Sequence, residues 1–432
     1  MSIAATAPRS QFVGFDLAET AIAKGRAMAV AAGLTNVELS VMDILEAPES
    51  LGEFDYIIAH GVYAWVPAPV RDAMMRLIGR ALSPRGLALI SYNAMPGCRI
   101  RQMVRDILLD CLAGTDDAKS RLAEAKEWLE FFATNWSQSD PLQNAMRKEV
   151  HDLLLRPPEV LFHDEMGETY EPQFVSEVAA HARRYGLQYL CDAQPPRGCE
   201  ALLPSADKEV LRKRAGDDWV RFEQLYDYAA LLPFRQTLLC RDSGIVDRSE
   251  AWTRVRRLHA QGQFAPLTAD ESMPGRFEFR TRENGRASTS ETSIAKLLGR
   301  IGAADPHSIP LASEIDGQKI GETVLRLFRI GALSLQTEPF PFTLTPGEHP
   351  VASALARLQA AQGETRLTSL RHTIVDISDA RAQHFITLLD GTRTRHDLTL
   401  AMANFTAIPE QTIAAKLNEN LNTLAQMALL AG

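Results

Sequence analysis

Apolar runs and alternations divide the first 96 residues into strands and helices in regular order. Residues 11–16, Gln-Phe-Val-Gly-Phe-Asp, read as a buried strand ending in an acid. Residues 18–33, rich in Ala and Met, read as a helix with Gly33 as its stop. Residues 36–43 alternate like a strand and again end in Asp. Residues 54–59, Phe-Asp-Tyr-Ile-Ile-Ala, contain an apolar run without polar alternation, which suits a strand covered on both faces. The run stops at His60-Gly61, and Tyr63, Trp65, Pro67 and Pro69 follow. Val70, Met74, Leu77, Ile78 and Ala81 fall on one face of a helix over 69–82. Ser83-Pro84-Arg85-Gly86 reads as a turn, and 87–91 as a fourth buried strand leading into Tyr92-Asn93. The order β-α-β-β-α-β, with two links long enough for crossovers, predicts a mostly parallel sheet with helices on both faces.

From 97 to 160 the periodicity is helical. Ile100, Met103, Val104, Ile107, Leu108 and Cys111 mark one amphipathic helix. Trp128, Leu129, Phe131 and Phe132 mark a second, and Leu153–Leu155 end a third before Pro157-Pro158. Residues 174–186 read as a further helix and 205–231 as helical. Leu187–Asp192 and Phe234–Arg241 read as two more strands, so the α/β unit resumes after an insertion and closes near 242. Beyond it, 281–290 reads as a polar loop, and 291–335 as two helices and a strand. Residues 339–350 read as a Pro-rich linker, and 351–432 as helices broken at Asp390-Gly391. The expected domains are an incomplete α/β core at 1–96, a helical insertion at 97–186 and a return of the core at 187–242. Winged-helix-like α+β domains are expected at 243–340 and 341–432.

Composition narrows the function. The 432 residues carry a net charge of −8 and a pI near 5.8, which argues against a nucleic-acid binder. The balance fits a cytoplasmic enzyme or a protein acting on basic targets. Five scattered cysteines without a Cys-x-x-Cys pair read as free thiols in a reducing compartment. No run approaches 18 apolar residues, so no membrane span is expected, and the N-terminus does not read as a signal peptide.

The chemistry gathers at the strand ends: Asp16, Met42-Asp43 and His60-Gly61. Ligands of open α/β sheets bind past the carboxyl ends of the strands, where a carboxylate accepts hydrogen bonds from ribose hydroxyls. A second carboxylate on the next strand can accept from an adenine amine. The alternative for each Asp is a helix cap or turn former. His163-Asp164-Glu165 has no second His cluster to complete a metal site and reads as a solvated loop; no metal is expected. Arg395-His396-Asp397 reads as a helix start, and Cys240 as a buried small hydrophobe.

With these residues in view, the sequence resembles class I S-adenosylmethionine-dependent methyltransferases. It is most similar to the subgroup with an appended methyltransferase regulatory domain, which includes rickettsial-type protein lysine methyltransferases. The resemblance rests on Phe12–Leu17, Asn36–Leu39 with Met42-Asp43, and above all Gly52–Pro67. Ser91-Tyr-Asn93 with Pro96-Gly97, and Phe234–Arg241, continue it. The fold it implies is a Rossmann-like methyltransferase sheet. The cofactor it implies is S-adenosyl-L-methionine, with Asp16 on the ribose, Asp43 facing the adenine and His60 beside the methionine part. Leu17, Met42 and Gly61 complete the implied cofactor set.

Ala64 and Cys98 depart locally from the family pattern. A larger departure is the family's first strand and Gly-rich loop: residues 1–11 contain no glycine and no apolar run. The start expected upstream of Met1, lost cofactor binding, or another segment in the gap would each account for this; a truncated start is the reading adopted. The implied reaction is methyl transfer to protein lysines. A free lysine titrates near pH 10.4, so a base or a desolvated pocket is required. His60, Tyr63 and Tyr92 are the candidates, with packing as the alternative for Tyr92 and Trp65. The C-terminal domains are expected to recognise a protein substrate or to form a homodimer. A non-catalytic interaction protein derived from a methyltransferase is the rival reading, and a winged-helix DNA-binding regulator a third.

Overall fold

The computed structural model describes residues 1–193, 204–248, 252–267 and 275–432. The chain divides into two units, one of residues 44–249 and one of residues 1–43 with 250–432. The expected domain 1–96 is therefore split after Asp43. Its first two strands pair with each other, in a different sheet from the next two.

In residues 1–43, helix α1 (Ser2–Thr6) precedes β1 (Phe12–Asp16), α2 (Glu19–Ala31) and β2 (Val37–Val41). β1 and β2 run parallel, with Asp16 opposite Val41. Buried Asn36 ties down the N-terminal turn, its amide donating to the carbonyls of Ala4, Ala7 and Ser10 at 3.1, 3.2 and 3.0 Å.

The sheet of residues 44–249 has the order β3-β4-β6-β5, built from β3 (Phe54–Ala59), β4 (Leu82–Asn93), β5 (Leu187–Asp192) and β6 (Phe234–Arg241). β3 and β4 are parallel, whereas β6 runs antiparallel to both β4 and β5. The sheet is thus mixed rather than mostly parallel, because the chain returns along β6. Residues 83–86 belong to β4 instead of forming a turn. The pairing shifts register between Phe54 and Tyr56, and Pro84 and Arg85 point to solvent. Helix α3 (Ala68–Ala81) buries Met74, Met75 and Ile78 against Leu82, Ile90, Leu187 and Leu239.

The insertion consists of α4 (Arg99–Cys111), α5 (Ala118–Asn135), α6 (Pro141–Leu154) and α7 (Pro158–Met166) around Leu108, Leu129, Val150, Leu153 and Leu161. Asp117 and Asp140 cap α5 and α6 by accepting from Ser120 N and Gln143 N. Pro157-Pro158 opens α7, where a proline's missing N–H costs nothing. His163-Asp164-Glu165 is consequently helical, not a solvated loop. Glu165 is fully buried, paired with Arg101 and lying 3.4 Å from Arg156. Helices α8 (Val175–Arg183), α9 (Ser205–Ala215) and α10 (Trp219–Ala230) complete this unit.

Residues 252–340 hold helices Thr292–Ala304 and Gln318–Arg329 and two three-stranded antiparallel sheets, packed around Phe264, Leu298, Ile301 and Val324. The expected loop 281–290 contains a strand, Arg286–Thr289, paired with Phe277–Arg280. Residues 341–432 pack four helices and a small hairpin around Leu367, Ile386, Leu398 and Leu421. Arg395 does begin a helix, with Thr394 as its cap and Asp397 closing a capping box.

Candidate active site

The predicted residues fall into two sets. Asp16, Leu17, Met42 and Asp43 lie on the unit that holds β1 and β2, and His60, Gly61, Tyr63 and Tyr92 on the other.

In the first set, parallel pairing brings two acid-ended strands side by side. Met42 N donates to Asp16 O at 3.1 Å. Asp16 and Leu17 are exposed, and Met42 and Asp43 half-buried. Asp16 Oδ1 accepts from Ala18 N at 2.8 Å, a turn that orients the carboxylate at the head of α2. Two carboxylates at one carboxyl edge form the acceptor pattern that a nucleoside's hydroxyls and amine would meet.

The second set gathers at the carboxyl edge of β3 and β4. Gly61 has φ +70°, a left-handed conformation that favours glycine, and its N–H donates to Ser91 Oγ at 2.7 Å. That bond fastens the loop after β3 to the end of β4. His60 is exposed, with its ring 6.0 Å from Phe234 and its Nε2 3.5 Å from the Gln236 amide.

Tyr63 and Tyr92 correct the expectation of a phenolic base. Both are buried core side chains. The Tyr63 hydroxyl bonds His181 Nδ1 at 2.7 Å, and His181 Nε2 lies 3.3 Å from Asp72. The Tyr92 hydroxyl bonds Thr237 Oγ1 at 3.0 Å. Burial pushes both phenols well above their ordinary range. Each therefore stays protonated and serves packing and positioning.

A short segment holds both loops of this edge. Glu171 N donates to Ala64 O at 2.8 Å, Gln173 N to Asn93 O at 2.9 Å, and Met95 N to Gln173 O at 3.0 Å. Arg71 pairs with Glu171 and donates to Val66 O at 2.9 Å. The Tyr170 ring lies 4.7 Å from Trp65, with the Arg101 guanidinium 5.6 Å from each.

Next to the site, buried Arg235 gathers three carboxylates: Asp192 at 2.7 Å, Glu223 at 2.9 Å and Asp227 at 2.7 Å. Burial outweighs the arginine's attraction, pushing Asp192 up to about 7 and Asp227 up to about 6. Sequence reasoning missed this cluster, His181 and Glu171. Their partners are distant in the chain: Tyr63 and His181 are 118 residues apart. The sequence signal available for Arg235 was a charged residue inside the strand pattern Phe234–Arg241.

A cavity of about 380 Å³ lies in the C-terminal helices, lined by Phe385, Met402, Leu417 and Leu424 with Lys416 and Asp379, and includes no predicted site residue.

Three family models match the chain. Residues 1–142 match a "methyltransferase domain", 157–241 a "predicted methyltransferase regulatory domain", and 348–428 the "PKMT, C-terminal winged helix domain". Among curated proteins, the uncharacterized protein RP789 of Rickettsia prowazekii is 33% identical over 243 residues, 56% of this chain and 44% of that protein. RP028 of the same organism is 32% identical over 182 residues, 41% of this chain and 73% of that protein. The chain thus spans less than half the length of the first of these relatives. Among solved structures, PKMT2 from Rickettsia typhi shares the fold over 100% of this chain and 91% of its own, at TM-score 0.83 and 23% identity. The same protein in complex with AdoHcy, also covered to 100% and 91%, gives TM-score 0.84 at 22% identity.

Proposed function

This chain belongs to the Rossmann-like S-adenosylmethionine-dependent methyltransferases, and from that membership we propose that it transfers methyl groups to lysine side chains of proteins. The observation that carries the reading is the pair of acid-ended parallel strands, Asp16 and Met42-Asp43, at one carboxyl edge. On this reading Asp16 with Leu17 holds the ribose and Asp43 with Met42 the adenine. Bound S-adenosylmethionine supplies an activated methyl on its sulfonium. The residues of the chain then hold the acceptor amine in line and exclude water. With Tyr63 and Tyr92 locked as phenols, His60 is the predicted residue left to take the lysine proton. A protein acceptor is supported by the PKMT winged-helix match and by the PKMT2 fold. We assign the activity to the cytoplasm; the described cysteines are free thiols, and no helix among the described residues is long and apolar enough to cross a membrane. The winged-helix domain is assigned to substrate recognition or pairing of two copies.

β3 has no strand partner on its outer side among the described residues, and its Tyr56 and Ile58 are 73% and 64% exposed. The test is incubation with methyl-tritiated S-adenosylmethionine and unfolded β-casein, followed by acid hydrolysis. Tritiated methyl-lysine supports the proposal. Saturable cofactor binding without methyl-lysine would replace it with the non-catalytic reading.

A further inference from the structure

The hairpin of strands Phe277–Arg280 and Arg286–Thr289 has two unlike faces. Phe279 is buried and Ala287 half-buried in the core of residues 252–340. On the other face Arg280, Arg286 and Ser288 are exposed. The register sets Arg286 directly opposite Arg280, and Ser288 opposite Glu278. Thr281 N donates to Gly285 O at 2.8 Å, so the pair next to the turn is a hydrogen-bonded one. Antiparallel pairs alternate, which makes Arg280 and Arg286 a non-hydrogen-bonded pair, the kind whose Cα atoms approach to about 4.5 Å. Like charges directly opposite destabilise a ladder. Glu278, the carboxylate on this face, is engaged by Arg276 at 3.2 Å. Among the described residues, neither the Arg280 nor the Arg286 guanidinium has an ion-pair or hydrogen-bond partner.

Arg286–Thr289 is also the edge of its sheet, whose inner strand is Phe277–Arg280 and whose far strand is Ala265–Pro266. The alternation that brings the two arginines together turns the backbone N–H and C=O of Arg286 and Ser288 away from the inner strand, toward the open side. The inner strand shows the same pattern: the Glu278 carbonyl, from the pair with Ser288, accepts from Leu267 N at 2.9 Å on its other side. Residues 275–289 carry four arginines and two glutamates, in a chain of net charge −8. Arg371 feels the surplus: burial first, and the charge of Arg282 second, hold its guanidinium below the ordinary arginine range. Charged residues on an edge strand commonly deter unwanted pairing. That role needs charge on the edge strand alone and gives no reason for a second arginine facing it from the inner strand.

We infer that this edge docks an extended acidic segment of a partner protein by strand addition. The segment's backbone bonds the outward groups of Arg286 and Ser288, and its carboxylates, two residues apart on one face, neutralise Arg286 and Arg280. A nucleic acid fits this edge less well. It is held by neutralising many phosphates, whereas this face offers two unpaired arginines on an acidic chain. A row of backbone donors and acceptors is matched by another polypeptide. The edge includes none of the residues assigned to methyl transfer, so the inference stands apart from that reading.

The test titrates the full chain by anisotropy with fluorescein-labelled nine-residue peptides: one alternating glutamate and threonine, one alternating lysine and threonine, and the glutamate peptide with its central amides N-methylated. The first is expected to bind saturably and about tenfold more tightly than either other, a difference of about 1.4 kcal/mol. Arg280→Gln with Arg286→Gln should weaken it about tenfold while leaving Tm unchanged or raised, since both side chains are exposed and their repulsion is removed. Arg85→Gln, which also lowers the positive charge but lies outside the hairpin, should leave the affinity unchanged. No binding of the glutamate peptide would overturn the docking edge, and equal binding of the N-methylated peptide would overturn strand addition. Equal binding of the lysine peptide, or an affinity unchanged in the folded double variant, would overturn the role of the arginines. A single-stranded oligonucleotide binding more tightly than the glutamate peptide would overturn the protein partner in favour of a nucleic acid.

Discussion

Gly97→Ala tests whether the loop after β4 and the segment before β6 are one packed unit. A methyl at residue 97 would lie 2.2 Å from Leu232 O, 2.3 Å from Leu232 C and 2.4 Å from Leu231 O. All three are backbone atoms, so no side chain can swing aside, and relief requires the segment to move by about 1 Å to reach ordinary contact. Overpacking of this kind costs about 1–3 kcal/mol. The same movement strains the bonds that Pro233 O accepts from Ala94 N and Cys98 Sγ, each worth about 1 kcal/mol. The expected loss is about 2–4 kcal/mol. For a unit of this size that corresponds to a fall in Tm of roughly 4–16 °C, read by differential scanning calorimetry. Gly299→Ala is the control: it lies in helix Thr292–Ala304, where an added methyl would meet nothing within 4 Å, so it should be neutral or stabilising by about 0.5–1 kcal/mol. A Gly97→Ala protein melting within about 1 °C of wild type would refute the packing argument.

Three further outcomes follow from the buried charges and strand ends. Glu165→Leu leaves Arg101 buried without its closest carboxylate and should destabilise by about 3–5 kcal/mol in urea titration, with Glu165→Gln costing less. Asp192 ionises near 3.8 when unfolded but holds its proton up to about 7 in the folded chain. Its stabilisation is therefore fully present below about pH 4 and is lost as pH rises toward 7. Asp192→Asn has no proton to lose, so its Tm should gain on wild type between pH 5 and pH 8. Burial depresses His181 and His372, which lose stability in the opposite direction as pH falls, but they are common to both proteins and cancel in the difference. Asp16→Ala should weaken S-adenosylmethionine binding by about tenfold or more, the loss of hydrogen bonds from a charged acceptor.

Much of the architecture was legible because local pattern and burial agree. The strands at 54–59, 187–192 and 234–241 have the predicted bounds, since each mixes apolar and β-favouring residues and closes at a polar or glycine signal, although 54–59, read as covered on both faces, is an edge strand that exposes Tyr56 and Ile58. The strand-end residues of the candidate site lie at strand ends for the same reason. What was illegible depended on partners far along the chain. His163-Asp164-Glu165 looked solvated because its charges are satisfied by Arg101, more than sixty residues away. Tyr63 looked reactive because the residue that sequesters its hydroxyl, His181, lies in a later helix. Residues 83–86 carry turn chemistry, yet the pairing of Leu82 and Leu87 with β3 on either side of them draws the segment into a strand. The division after Asp43 follows from which strands pair, and apolar alternation specifies a strand without specifying its neighbour.

The central claim is most directly tested by titrating S-adenosylhomocysteine into the purified chain by calorimetry, beside Asp43→Ala. The account predicts one saturable site with Kd below about 1 mM, equivalent to about 4 kcal/mol of binding or more, weakened about tenfold or more by Asp43→Ala. No heat of binding from a chain shown to be folded, or binding indifferent to Asp43→Ala, would contradict it.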